Sequence, residues 1–138
     1  MTKIPREVAD LFNDPESVKV LVTLNEYSVP HCVPIGTLAI PTADIIAFAV
    51  IMAEETHKNL LNNPDKIVTT TAVKGSESYQ IKAKPKEYLT EGAAFNAFKQ
   101  RFGTIIMGSG LEIKGVWILE PLELYDQSLR FDSGQRIV

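Results

Sequence analysis

The sequence predicts a mainly β protein: a small barrel of six antiparallel strands with short helices at its side. Three observations carry that expectation. Apolar and polar residues alternate with a period of two over Val18–Leu24 and again over Ser78–Lys86, the pattern of strands with two unlike faces. Helical spacing is confined to three short stretches. Most strands are joined by short turns, which makes neighbours antiparallel, and closing such strands on themselves removes exposed edges. A flat open sheet is the alternative.

In order along the chain, Ile4, Val8, Leu11 and Phe12 form one apolar stripe, so a short helix is expected over 4–12. Asn13-Asp14-Pro15 ends it, because the residue before a proline avoids the helical region. In the first strand Val18, Val20, Val22 and Leu24 share one face, and Lys19, Leu21 and Thr23 the other. Asn25–Ser28 turns the chain. Val29–Ile40 is a second extended stretch, and its Pro30 and Pro34 put it at an edge or at a bulge. Ile45–Met52 is apolar on both faces and should be a buried strand. A helix near Glu55–Asn62 follows, with Thr56 as cap and Leu60 and Leu61 toward the core. Ile67–Val73 and Ser78–Lys86 form a hairpin around Lys74–Glu77. Thr90 should cap a helix carrying Ala94, Phe95, Phe98 and Phe102 on one stripe, with Gly103 as its stop. Thr104–Gly110 reads as a loop, Ile113–Tyr125 as the last strand, and 126–138 as a polar tail that packs locally.

The chain has 138 residues and a net charge of -3, 45% hydrophobic and 22% charged residues, and a single cysteine. That length suits one domain over 1–138. The apolar share fits a packed core, not a disordered chain. One cysteine excludes an internal disulfide framework and a Cys-rich zinc site. The mild acidity offers no general attraction for nucleic acid or an anionic membrane. The longest apolar run, Ile45–Ala53, is far short of the ~20 residues of a membrane-spanning helix, and the first residues lack a signal-peptide core. A cytoplasmic protein is the expectation, with no nucleic-acid or membrane partner.

Chemistry-bearing residues are few. His31 and His57 lie apart and outside any metal-binding spacing, so no metal site is expected. Cys32 reads as a small buried hydrophobe. Gly108-Ser109-Gly110 is a loop fragment with no motif around it. The segment Met52–Leu60 is richer. A helix that starts after a strand offers free N–H groups and the positive end of a dipole, with Thr56 adding a hydroxyl and Lys58 an ammonium. It could hold a phosphate, or it could be an ordinary capped helix with a solvated charge run. The polar face Gln80, Lys82, Lys84 and Lys86 could be an anion site or a solvent-facing strand guarded by lysines. In Val33–Thr37, Gly36 could let a flat ring approach the backbone, or mark a bulge forced by Pro34.

Taken together, Val29–Thr37, Thr56–Pro64, Ser78–Lys82 and Ile113–Val116 resemble, in order and spacing, the pyridoxamine 5′-phosphate oxidase-like, flavin mononucleotide (FMN)-binding split-barrel family. The likeness runs from about Val18 to Tyr125 and is nearest to the family's small stand-alone FMN-binding proteins. It implies a six-stranded antiparallel split barrel, a homodimer, and FMN in a groove between the subunits. It places Pro34, Ile35, Gly36 and Thr37 along the flavin ring. Thr56, with Lys58 and Asn59, would face the phosphate, Gln80 would reach toward it, and Trp117 would wall the site. One departure stands out. Where related proteins carry a basic residue just before the threonine, this chain has Glu55, preceded by Glu54. His57, Lys58 or Lys82 would then have to pair with the phosphate, or FMN binds weakly or differently, or Glu55 points away to solvent.

The resemblance further implies an oxidoreductase or a flavin-based electron carrier with a small-molecule or protein redox partner. No general acid or base is expected, because the flavin itself carries the chemistry. Oxidation of vitamin B6 is not expected, since the basic C-terminal motif that would hold pyridoxal phosphate is missing. The alternative is a non-catalytic barrel that holds haem, a deazaflavin, another ligand or a partner in the same groove.

Overall fold

A computed structural model of the chain describes residues 2–106, 112–129 and 133–138. Its elements are α1 (Arg6–Asn13), β1 (Val18–Leu24), β2 (Pro30–Pro34), β3 (Ala39–Thr42), β4 (Ile45–Val50), α2 (Glu54–Asn62), β5 (Val68–Lys74), β6 (Glu77–Leu89), α3 (Ala93–Ile106), β7 (Gly115–Asp126) and β8 (Gln135–Arg136). Among the described residues the fold is mainly β, a split barrel with three helices at its side and eight strands, two more than the six expected, because the second extended stretch splits in two and the tail adds β8.

All strand pairings are antiparallel, in the order β2-β1-β5-β6-β7-β4-β3, with β8 added to β7. The ends of this path, β2 and β3, do not pair with each other, so the sheet stays open at that seam. The expected second stretch Val29–Ile40 breaks there into two strands. Pro34 ends β2, since it has no N–H for the ladder, and the Thr37 hydroxyl spans the gap. It donates to the Ala49 carbonyl at 3.3 Å and accepts from the Ala49 amide at 3.0 Å. Curvature comes from β6, whose register against β7 shifts between Lys82 and Ala83 and between Pro85 and Glu87.

The expectation of a strand apolar on both faces holds over Ile45–Val50, whereas Met52 lies beyond the strand and is 70% exposed. Ile46, Phe48 and Val50 join the main core with Leu21, Ile81, Leu119 and Leu124. Ala47 and Ala49 join a second cluster beneath α3, with Phe98, Phe102, Val116 and Ile118. The α1 stripe packs as read, with Val8, Leu11 and Phe12 buried. Asn13 then ties this helix to the seam. Its Nδ2 donates to the Ile40 carbonyl at 2.9 Å and its Oδ1 accepts from the Ile40 amide at 2.8 Å.

Several local expectations need correction. In β1, whose inner face the alternation leaves open, the mixed face turns inward: Lys19, Leu21 and Thr23 are buried, while Val18 is 57% exposed and Val20, Val22 and Leu24 are half-buried. Lys19 tolerates this by donating to the Asp14 carbonyl at 3.4 Å, and burial pushes its pKa down. Cys32 is exposed, because β2 lies on the sheet edge and turns that residue outward. Leu61 is exposed as well, one step round the helix from the buried Leu60. Helix α3 starts at Ala93, beyond Thr90, and runs through Gly103 to Ile106, so that glycine is not its stop. Positions 104–106 of the expected loop are helical, and 107–110, with Gly108-Ser109-Gly110, lie outside the described residues.

Candidate functional site

The site is built where β4 leaves the sheet and α2 begins. The helix starts without a side-chain cap: its N-cap is Ala53, and His57 N–H donates back to the Ala53 carbonyl at 2.9 Å. Thr56 is therefore not the cap but sits one turn inside. Glu54 and Glu55 occupy the first turn, where carboxylates favour the positive end of the helix dipole. The acidic pair thus has a structural reason to stand there.

Behind the helix, Thr56 is fully buried, and its Oγ1 has no hydrogen-bond partner among the described residues. An unpaired buried hydroxyl costs about 1–3 kcal/mol, so a ligand oxygen that accepted from it would recover that cost. Asn59 is buried too, but satisfied: its Nδ2 donates to Thr23 Oγ1 of β1 at 3.0 Å. His57 meets two aromatic residues. The Trp117 indole N–H donates to its Nδ1 at 2.9 Å, and the Tyr88 ring lies 4.6 Å away between centroids. Tyr88 also lies 5.1 Å from Trp117. Burial, and then the Lys114 ammonium, hold the His57 imidazole below its ordinary pKa. Lys58 is exposed on the outer side of the helix.

Two adjoining clefts open in front of the helix start. One, of about 360 Å³, is lined by Val33, Pro34, Ile35, Gly36 and Thr37, and across the seam by Ala49 and Ile51–Ala53. It is largely apolar, with a strand backbone along one wall. The other, of about 780 Å³, shares Val33 and Ile51–Ala53 and adds His31, Glu54, Glu55, Glu112 and Lys114. Lys114 pairs with Glu54 at 3.6 Å, so the lining carries more acidic than basic charge.

Gln80 and Lys82 stand elsewhere on one copy of the chain. Both lie on the outward face of β6. Gln80 Nε2 donates to Thr69 Oγ1 at 2.8 Å and its Oε1 accepts from Gln127 Nε2 at 3.0 Å. The Lys82 ammonium sits 4.9 Å over the Tyr125 ring. The register aligns Pro34, Val20, Thr71 and Gln80 in one row across β2, β1, β5 and β6, and residues in register share a face. Three strand spacings separate its ends, roughly 15 Å. So the chain gathers Pro34–Thr37 at the cleft and Thr56, His57, Asn59 and Trp117 around α2. Gln80 and Lys82 sit apart, on the same outward face as Pro34.

Sequence reasoning missed Tyr88, Thr23 and the wider cleft lining. Tyr88 lies past the two β6 register shifts, where alternation no longer tells which face a residue takes. The glycine of Ile113–Val116 acquires a reason: a Cβ at Gly115 would come within 2.6 Å of Tyr88 Cε1, and closer still to Cζ and Oη.

No protein-family pattern matches the sequence, and no curated protein sequence does. Solved structures do match. HupZ from Group A Streptococcus superposes with a TM-score of 0.79 at 19% identity, covering 98% of this chain and 99% of that one. An FMN-binding protein from Syntrophomonas wolfei gives 0.76 at 17%, over 90% and 86%. A candidate pyridoxamine 5′-phosphate oxidase from Lactobacillus delbrueckii gives 0.69 at 15%, over 91% and 95%. Others are described as an F420 reductase and as HutZ, the haem storage protein of Vibrio cholerae. At such identities the likeness concerns the backbone, and its coverage is nearly complete. The chain thus has the split-barrel fold of the pyridoxamine 5′-phosphate oxidase-like proteins.

Proposed function

We propose that the chain is a flavin-binding protein that takes FMN in the groove along Pro34–Thr37 and acts as a homodimeric oxidoreductase or electron carrier in the cytoplasm. The observation that carries this reading is the fully buried Thr56 hydroxyl, without a hydrogen-bond partner among the described residues, on the helix whose N-cap, Ala53, lines the apolar cleft. The cleft suits one edge of a flat ring, and Thr56 suits a phosphoryl oxygen. Ile35, Gly36 and Thr37 would hold the ring's polar edge through their backbone groups. His57 and Asn59 would fix the helix start, with Lys58 on its exposed side. A bound flavin would supply hydride or single-electron transfer to a small-molecule or protein partner.

The outward face of β1 supports a second copy. Val18, Val20, Val22 and Leu24 leave a row of apolar side chains on the sheet surface, with Val73 39% exposed beside them. Such a patch on a small protein marks an interaction surface. A copy docked there would bring Gln80, Lys82 and Pro34 of this face to a shared boundary. Among the described residues no helix is long and apolar enough to cross a membrane.

The residues fit the ring better than the phosphate. Glu54 and Glu55 face any phosphate dianion with like charge, and Lys114 is engaged by Glu54. This favours a second reading, a non-catalytic barrel that holds a deazaflavin, haem or a partner in the same groove. An absorbance spectrum of the purified protein and a titration with FMN separate the two. Oxidised-flavin bands, or saturable FMN binding, support the first. A colourless protein that ignores added FMN overturns it.

A further inference from the structure

His57 is held from two sides. Trp117 Nε1–H donates to its Nδ1 at 2.9 Å. Tyr88 packs against the ring at 4.6 Å, and Tyr88 itself lies over Gly115, which has no side chain to push it away. A neutral imidazole carries one N–H and one lone pair, whereas an indole nitrogen is a donor only. The lone pair must therefore sit on Nδ1 and the proton on Nε2.

Charging the ring would set an Nδ1–H against the indole N–H, two donors facing each other. The surroundings push the same way. Tyr88 from β6 and Trp117 from β7 are uncharged, and Lys114, just ahead of β7, adds a positive field that opposes protonation. On its own helix Glu54, Glu55 and Lys58 are exposed, and Glu54 is paired with Lys114. On the β1 side the helix meets Thr23, whose hydroxyl is taken by Asn59.

We propose that Trp117 is a positioning residue that locks His57 in its neutral, Nε2-protonated tautomer, so that His57 serves the site as a hydrogen-bond donor and not as a metal ligand. Coordination uses a ring-nitrogen lone pair. Here the Nδ1 pair is occupied by the indole, and Nε2 carries a hydrogen. A phosphoryl or carbonyl oxygen is matched by that hydrogen, and a haem iron is not. The lock is a property of the chain with no ligand bound, so it stands or falls separately from the flavin reading.

The test is nitrogen NMR on the full chain labelled at histidine, with His31→Gln to assign the two imidazoles. The wild type should show a protonated Nε2 and a bare Nδ1 around neutral pH. Trp117→Phe should mix the tautomers and raise the imidazole pKa by about one pH unit, the equivalent of one lost hydrogen bond. A proton on Nδ1 in the wild type overturns the proposal, and so does an unchanged tautomer in a folded Trp117→Phe variant. If that variant does not fold, the wild-type signal decides alone. Haemin is the second probe. Identical haemin spectra for wild type and His57→Asn support the lock, and a histidine-ligated band that the variant loses overturns it.

Discussion

Gly115→Ala puts the aromatic cluster to a quantitative test. The new methyl would lie within 2.6 Å of Tyr88 Cε1, and closer to the ring's far end, against an ordinary van der Waals separation of 3.4–4 Å. Tyr88 must therefore withdraw by about 1 Å or more. Overfilling a packed site costs about 1–3 kcal/mol, and pulling an aromatic pair apart adds about 0.5–1.5 kcal/mol. Alanine returns about 0.5–1 kcal/mol by restricting the unfolded strand. The expected net loss is about 2 kcal/mol, which for a chain of this length lowers Tm by roughly 8 °C. The assay is thermal unfolding followed by fluorescence of Trp117, the chain's single tryptophan, and the emission should shift as the ring next to it leaves. The same substitution in a Tyr88→Ala background meets no ring, so it should be neutral or slightly stabilising. The two backgrounds should then differ by about 2 kcal/mol, well above the scatter for independent sites. Equal losses in both would refute the account of why a glycine stands at this position.

Four further outcomes follow from the same geometry. Thr56→Val should stabilise the ligand-free protein by about 1 kcal/mol, since it removes an unpaired buried hydroxyl, yet weaken FMN binding about tenfold; a loss of both would show that the hydroxyl has a partner in the free protein. Glu55→Lys should tighten FMN binding several-fold, leave riboflavin unaffected, and lose its advantage as salt rises; equal effects on both ligands would place Glu55 away from the phosphate. Val22→Lys should yield a monomer by sedimentation, because it sets a charge in the apolar row of β1, and a wild-type monomer would remove the reason for that row. For pH, the folded His57 has a pKa below its unfolded value, so its contribution is fully present above the unfolded pKa of ~6.5. That contribution is lost as the pH falls from there toward the folded value, and His57→Gln should flatten the acid side of a stability-against-pH curve.

Much of the fold could be read from residue patterns, and the failures share physical causes. Alternation located β1 and β6, and the two-faced apolar run of Ile45–Met52 announced a strand covered on both sides. Alternation alone could not tell which face of β1 turns inward. Hydrophobicity points to Val18, Val20, Val22 and Leu24, yet the chain buries Lys19, Leu21 and Thr23, and satisfies the lysine through the Asp14 carbonyl. The helix starts were misplaced because Thr56 and Thr90 are good caps by type, whereas the chain bends at other residues, Ala53 and Gly92. At the site, single residues were legible but their grouping was not. Gln80 and Thr56 stand on unlike faces of one copy, and no spacing in the sequence states that. Tyr88 was invisible because two register shifts reset the phase of β6 before it.

Asn13 gives the N-terminal helix a role that its packing alone would not. Its side-chain amide exchanges two hydrogen bonds with the backbone of Ile40, as a neighbouring strand residue would. In effect the carboxamide is a one-residue strand that occupies the open rim of β3. An unprotected rim recruits other chains, so this single amide acts as a stopper against end-to-end polymerisation. The proposed second copy then has the apolar face of β1, and not this rim, to dock on.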